Sequence, residues 1–90
     1  ELGGKVIYLS DPARRFVYYY AHLDEWKYGL AEGQRVHRGQ LLGTVGTTGN
    51  APENAPHLHF QLMRMGAGGR YWSGEPINPI PYLRRTGRER

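Results

Sequence analysis

The sequence predicts a small, mostly antiparallel β domain, and three observations carry that expectation. Thirteen glycines and six prolines in 90 residues are too many for a helical bundle. The apolar runs are short and rich in β-branched and aromatic side chains. Each run is bounded by Gly, Pro, Asn or Asp, the residues that turn a chain.

Taken in order, residues 5–9 (KVIYL) form the first strand, which Asp11-Pro12 ends. Residues 16–21 (FVYYYA) form the second, so the pair is expected to make an antiparallel hairpin through SDPARR. Residues 25–30 (EWKYGL) are too short for a stable helix and read as a loop. From Gly33 to Gly46, short apolar pieces alternate with glycines that permit positive φ and close backbone approach. Residues 47–55 (TTGNAPENA) are a turn-rich loop. Residues 57–65 (HLHFQLMRM) are the longest strand candidate, followed by the flexible Gly66-Ala67-Gly68-Gly69. Residues 76–81 (PINPIP) cannot be helix or central strand and are expected to wrap the surface as extended chain. No coiled-coil heptad or internal repeat is visible.

Ninety residues fit one small domain near the lower limit for a single core. The chain opens at Glu1 without methionine and reads as a piece of something longer, with no signal peptide and no membrane anchor in this segment. With no cysteine, disulfide chemistry says nothing about compartment. The net charge of +4 invites a nucleic-acid reading. Much of that excess sits in Arg84, Arg85, Arg88 and Arg90, a basic tail over residues 84–90 expected to be disordered. The aromatics cluster at Tyr18–Tyr20 and Tyr71-Trp72 instead of interleaving with basic residues, so nucleic acid is not an expected partner. An anionic cell-wall polymer fits the charge equally well.

Pro56-His57-Leu58-His59-Phe60 carries the chemistry. On a strand, His57 and His59 point to one face while Leu58 and Phe60 point into a core. Two imidazoles side by side suit a metal, or one ligand beside one general base; a hydrogen-bonded surface pair satisfies the same spacing.

The flanking blocks narrow that choice. Tyr20-Ala21-His22-Leu23 is followed by Gly33-x-x-Val36-x-x-Gly39-Gln40-x-x-Gly43, then Val45-Gly46-x-Thr48-Gly49-Asn50, then Pro56-His57-Leu58-His59-Phe60. These four ordered blocks, in a match that runs over nearly the whole chain, resemble the lysostaphin-type (LytM-like) zinc metallopeptidases, which cut peptide bonds in peptidoglycan. The resemblance implies a two-layer antiparallel β sandwich, barrel-like with glycine-rich turns, of the duplicated hybrid motif type. It makes residues 1–83 the C-terminal part of a catalytic domain. It implies that His59 is a zinc ligand and His57 the general base. His22 would lie across the groove, stabilising the oxyanion or assisting proton transfer. Zinc would bring the pKa of a bound water toward ~7 and polarise the scissile carbonyl. Tyr20, Thr48 and Asn50 would line the groove, whereas His37 would be a surface residue. The residues 50–55 and 72–79 look most like members from Gram-negative envelopes, which implies a periplasmic or extracellular location and a D,D-endopeptidase acting on cross-links.

One departure from the family pattern matters. The family's zinc site also uses an upstream His-x-x-x-Asp, and no histidine here has aspartate at that spacing: the fourth residues after His22, His37, His57 and His59 are Trp26, Leu41, Gln61 and Met63. Two further ligands are therefore expected from a missing N-terminal segment, and the isolated chain is expected to be inactive. A three-histidine site from His22, His57 and His59 is the alternative source of weak zinc binding. The incomplete domain is expected to associate with its missing half, or with itself, through an uncovered apolar face. The competing functional reading is a non-catalytic module that binds cell-wall peptide or activates another hydrolase. A biotinyl or lipoyl carrier, suggested by the glycine pattern, is excluded because residues 46–56 contain no lysine for the cofactor.

Overall fold

The computed structural model describes residues 2–83. Five strands form one sheet: β1 (Lys5–Ser10), β2 (Phe16–Trp26), β3 (Gly43–Val45), β4 (His59–Arg64) and β5 (Glu75–Ile77). The order is β1-β2-β4-β5, with β3 also paired to β2. Two single-turn 3-10 helices, Ala67–Gly69 and Ile80–Tyr82, complete the secondary structure of the described residues. The all-β antiparallel expectation holds, but the sheet is open and does not close into a barrel.

Several elements differ from expectation for local reasons. The longest strand is β2, which runs on through Glu25 and Trp26 because β3 pairs there: Leu23 with Val45, Glu25 with Thr44 and Trp26 with Gly43. β4 begins only at His59, so His57 and Leu58 precede the strand. Leu58 is consequently 42 % exposed and does not enter a core, while Phe60 is half-buried. Residues 75–77 do form a strand, at the end of the sheet order where Pro76 need not donate a ladder hydrogen bond. The residues from Ile80 coil into a 3-10 turn with Pro at its start. The basic tail of residues 84–90 lies outside the described residues.

The chain divides into two compact units, each traversed by the long strands. The first comprises residues 2–7 and 20–60, with Ile7, Ala21 and Leu23 buried. Its loop between β2 and β3 contains the same turn twice. Ala31-Glu32-Gly33-Gln34 closes by a Gln34 N–H bond to the Ala31 carbonyl (3.2 Å), and His37-Arg38-Gly39-Gln40 by Gln40 N–H to the His37 carbonyl (3.0 Å). In each, the glutamine side chain accepts from the first residue's N–H at 2.9 Å. Gly33 (φ 81°) and Gly39 (φ 83°) take the third position of the turn, where a positive φ is required. This short x-x-Gly-Gln repeat corrects the reading that no internal repeat is present.

One side of this unit carries an open apolar groove of about 410 Å³, lined among others by Ile7, Tyr20, Leu41, Val45 and Leu58. Leu41, Val45 and Leu58 remain 57 %, 50 % and 42 % exposed.

The second unit comprises residues 8–19 and 61–83, with Val17, Leu62 and Met63 buried. β4 and β5 pair antiparallel, Leu62 opposite Ile77 and Arg64 opposite Glu75. The β1–β2 turn is organised by Asp11, whose Oδ1 accepts from the N–H groups of Arg15 (2.8 Å) and Phe16 (2.9 Å). This Asx-type arrangement supports Arg14 at φ 59°, outside the range most side chains prefer.

Candidate active site

The site forms within the first unit, where the chain from Leu2 to Lys5 crosses the loop after β3. The crossing is close. The N–H of Asn50 donates to the Leu2 carbonyl (3.0 Å), and that of His22 to the Gly3 carbonyl (2.8 Å). Lys5 N–H donates to Thr48 Oγ1 (3.0 Å), which in turn donates to the Leu23 carbonyl (2.6 Å). Gly4 (φ 66°) and Gly49 (φ 76°) meet backbone to backbone, and a Cβ on either would overlap the other strand. The glycines of the Thr48-Gly49 block are thus required by space as well as by φ.

His22 sits on this crossing. It is buried and adopts φ 62°, a left-handed conformation that histidine tolerates better than branched residues do. This local twist breaks the in–out alternation of β2, so Ala21, His22 and Leu23 are all buried. The backbone of His22 is fully used, because its carbonyl also accepts from Gly46 N–H at 3.0 Å. Its ring donates from Nδ1 to the Thr48 carbonyl at 2.7 Å. A carbonyl only accepts, so this bond places the proton on Nδ1 and leaves Nε2 as the nitrogen available for chemistry.

His57 and His59 arrive from the other side of the unit. The ring centroid of His22 lies 5.4 Å from that of His57 and 5.8 Å from that of His59. His57, held by its N–H to the Gly46 carbonyl (3.4 Å), donates from Nδ1 to the Ala55 carbonyl at 2.9 Å. It therefore shows the same pattern as His22, with Nε2 as the remaining nitrogen. Both His57 and His59 are exposed. Three histidines anticipated from the sequence are brought together, although by a loop residue and a strand start instead of one continuous strand. His37 lies elsewhere, exposed in the second of the repeated turns.

Thr48 has a part that spacing alone did not reveal. Its hydroxyl ties the loop to Leu23 and Lys5 while its carbonyl orients His22. The Val-Gly-x-Thr-Gly pattern flags the residue, but only the crossing of the two segments shows what it does. Tyr20 lines the apolar groove and packs its ring against Phe60 at 5.3 Å, and Asn50 is exposed on the loop.

The chain belongs to peptidase family M23, whose sequence profile matches residues 1–79. Among its relatives, an L-Ala–D-Glu endopeptidase of Bacillus subtilis (strain 168) is 36 % identical over 89 residues, covering 93 % of this chain and 26 % of the relative. The glycyl-glycine endopeptidase ALE-1 of Staphylococcus capitis is 34 % identical over 85 residues, covering 94 % of this chain and 21 % of the relative. Lysostaphin of Staphylococcus simulans is also 34 % identical over 85 residues, with 94 % and 16 % covered. The solved structure of LytU superposes with a TM-score of 0.71 at 34 % identity, covering 91 % of this chain and 52 % of that one. The chain thus spans about a quarter or less of these relatives' length and about half of the LytU chain.

Family M23 is generally zinc-dependent, so the donor set bears testing. Among the described residues, no group of three or more His, Cys, Asp or Glu side chains is placed to hold a metal ion. The three-histidine alternative is therefore not realised. A zinc site ordinarily takes three protein ligands, and the residues present do not supply them.

Proposed function

We propose that residues 1–83 are the C-terminal part of a zinc-dependent endopeptidase domain that hydrolyses peptide bonds of bacterial peptidoglycan in the cell envelope, periplasmic or extracellular. The observation that carries this reading is the grouping of His22, His57 and His59, with two of the three rings held so that Nε2 is the reactive nitrogen. His59 serves as a zinc ligand, and two further ligands come from polypeptide outside these residues. The ligand deficit of the described residues supports that division.

The chain's own residues handle the proton. His57 accepts from the attacking water at Nε2, the nitrogen that its bond to Ala55 leaves basic. His22 has the same constraint: with its proton on Nδ1, neutral His22 can only accept at Nε2. It donates there, to an oxyanion or a leaving amine, once it is the imidazolium. The two rings lie 5.4 Å apart between centroids, tilted by 53°, so both serve one peptide bond in the same pocket. Tyr20 and the loop residues Thr48 and Asn50 frame the peptide. The bond we propose for it is the direct D,D cross-link, the choice suggested by the resemblance of residues 50–55 and 72–79 to Gram-negative members.

The ligand deficit also favours, for this chain taken alone, the second reading of a cell-wall-peptide-binding module or an activator of another hydrolase. Digestion of purified peptidoglycan with zinc present separates the two. The 90-residue chain is expected to release no new amino groups. A chain carrying the residues encoded before Glu1 is expected to do so, and to lose activity with His57→Ala. Turnover by the 90-residue chain itself would overturn the claim of missing ligands, and inactivity of the extended chain would favour the binding module.

A further inference from the structure

The second unit carries a run of four aromatic rings that the histidine chemistry does not use. Tyr8 from β1 packs against Tyr19 from β2 at a centroid distance of 5.0 Å and against Tyr71 at 4.8 Å. Tyr71 meets the Trp72 ring edge-on at 4.9 Å. The rings come from three separate segments, yet the group stays open to solvent. Tyr8, Tyr71 and Trp72 are 37 %, 45 % and 60 % exposed. A contiguous aromatic surface left exposed is a recurrent mark of a binding site.

Its chemistry is specific. The faces are apolar, and the rims carry neutral hydrogen-bonding groups. Burial, followed by the neighbouring phenols of Tyr19 and Tyr71, raises the Tyr8 hydroxyl above its ordinary range, so it remains a neutral donor. Trp72, which is largely exposed, adds an indole N–H donor. The rings are tilted by 48° and 60° and then perpendicular at 86°, so they present separate faces and edges instead of one flat sheet for a helix or strand. Separate apolar faces rimmed by neutral donors match a chain of pyranose rings. Each sugar offers a C–H face to an aromatic ring and hydroxyl or acetamido oxygens to the rim.

We propose that Tyr8, Tyr71 and Trp72 form a glycan-binding surface that takes the N-acetylated amino-sugar backbone of the cell wall. The choice of that glycan rests on the cell-wall reading above; the surface itself rests on the ring geometry. It gives the protein a hold on the sugar strand separate from the histidine group's handling of the peptide.

The test titrates the 90-residue chain with N-acetylglucosamine oligosaccharides, followed by calorimetry, with a sugar-free stem peptide and a single-stranded oligonucleotide as parallel arms. Trp72→Ala and Tyr71→Ala are each expected to weaken oligosaccharide binding at least about tenfold. Tyr82→Ala, an aromatic of the same unit packed on Phe16, is expected to leave it unchanged. Circular dichroism confirms that each variant retains the fold. Oligosaccharide binding unaffected by Trp72→Ala and Tyr71→Ala would overturn the proposal. Binding of the stem peptide with none of the oligosaccharide would overturn it while leaving the cell-wall reading intact, and binding of neither would count against both. Preferential oligonucleotide binding, or a dimer in sedimentation that Trp72→Ala disperses, would assign the surface to another partner and also overturn it.

Discussion

The Nδ1–H of His22 donates to the backbone carbonyl of Thr48 at 2.7 Å, across a sequence gap of 26 residues. The bond joins the end of one block of the sequence pattern to the middle of another. Thr48 is itself fixed by its hydroxyl, between Lys5 N–H and the Leu23 carbonyl. The orientation of the buried histidine is thus set by a loop that is anchored at both sides.

Thr48→Val keeps the shape of the side chain and deletes both hydroxyl bonds, leaving the Lys5 N–H and the Leu23 carbonyl without that partner. A loss of about 1–3 kcal/mol in urea unfolding is expected. Thr48→Ser keeps the hydroxyl and should recover most of it. The 15N shifts of the His22 ring should report a single Nδ1–H tautomer in the wild type and Thr48→Ser, and a mixture in Thr48→Val. Identical His22 spectra in all three would dissociate the hydroxyl from ring orientation.

Gly49 and Gly33 both have positive φ, but only Gly49 faces another backbone. Gly33→Ala should cost about 1 kcal/mol, the strain of placing a Cβ in the left-handed region. Gly49→Ala adds a clash with the Leu2–Gly4 segment and should cost roughly 3 kcal/mol or more. Thermal melts of the two variants compare these directly; equal losses would mean that the crossing of the two segments relaxes freely.

Asp11 governs the β1–β2 turn and brings a pH dependence. Partial burial pushes its carboxyl up, but the Phe16 and Arg15 N–H groups, its own N–H and the Arg15 charge outweigh this, holding the carboxyl below its ordinary 3.8. A depressed folded-state value means that the ionised form is favoured by folding. Its contribution is present above pH 3.8 and is lost as pH falls through the lower folded-state value. Stability should therefore drop on acidification below about pH 4. Asp11→Asn, which retains an acceptor but has no charge to titrate, should flatten that part of the profile. Parallel acid profiles of wild type and Asp11→Asn would rule the carboxylate out as its source.

Much of this was legible in the sequence, and the misses have physical causes. The hairpin of β1 and β2 and the all-β class followed from β-branched runs between turn residues, and the ordered Gly, His and Asn blocks pointed to the family. The pairing of β3 with Glu25 and Trp26 was not readable, because a three-residue strand has no periodicity of its own and borrows its conformation from its partner. Strand alternation places Leu58 in a core, which fails because the strand begins at His59, two residues later than the pattern predicts. The left-handed turn at His22 leaves no mark in the sequence, since histidine there is compatible with ordinary β structure. It is imposed by the crossing of residues 2–5 over the loop at Thr48, a tertiary contact. The Gly-Gln turns, by contrast, are visible in the sequence as Gly33-Gln34 and Gly39-Gln40 at a spacing of six.

The central claim is that this chain holds part of a zinc peptidase site, with His59 a ligand and two ligands supplied from elsewhere. Calorimetric titration with zinc at neutral pH tests it most directly, comparing the 90-residue chain, its His59→Ala variant, and a chain extended by the residues encoded before Glu1. The account predicts weak binding by the 90-residue chain and binding tighter by several orders of magnitude in the extended chain, abolished there by His59→Ala. Tight stoichiometric zinc binding by the 90-residue chain alone, or binding in the extended chain that is indifferent to His59→Ala, would contradict it.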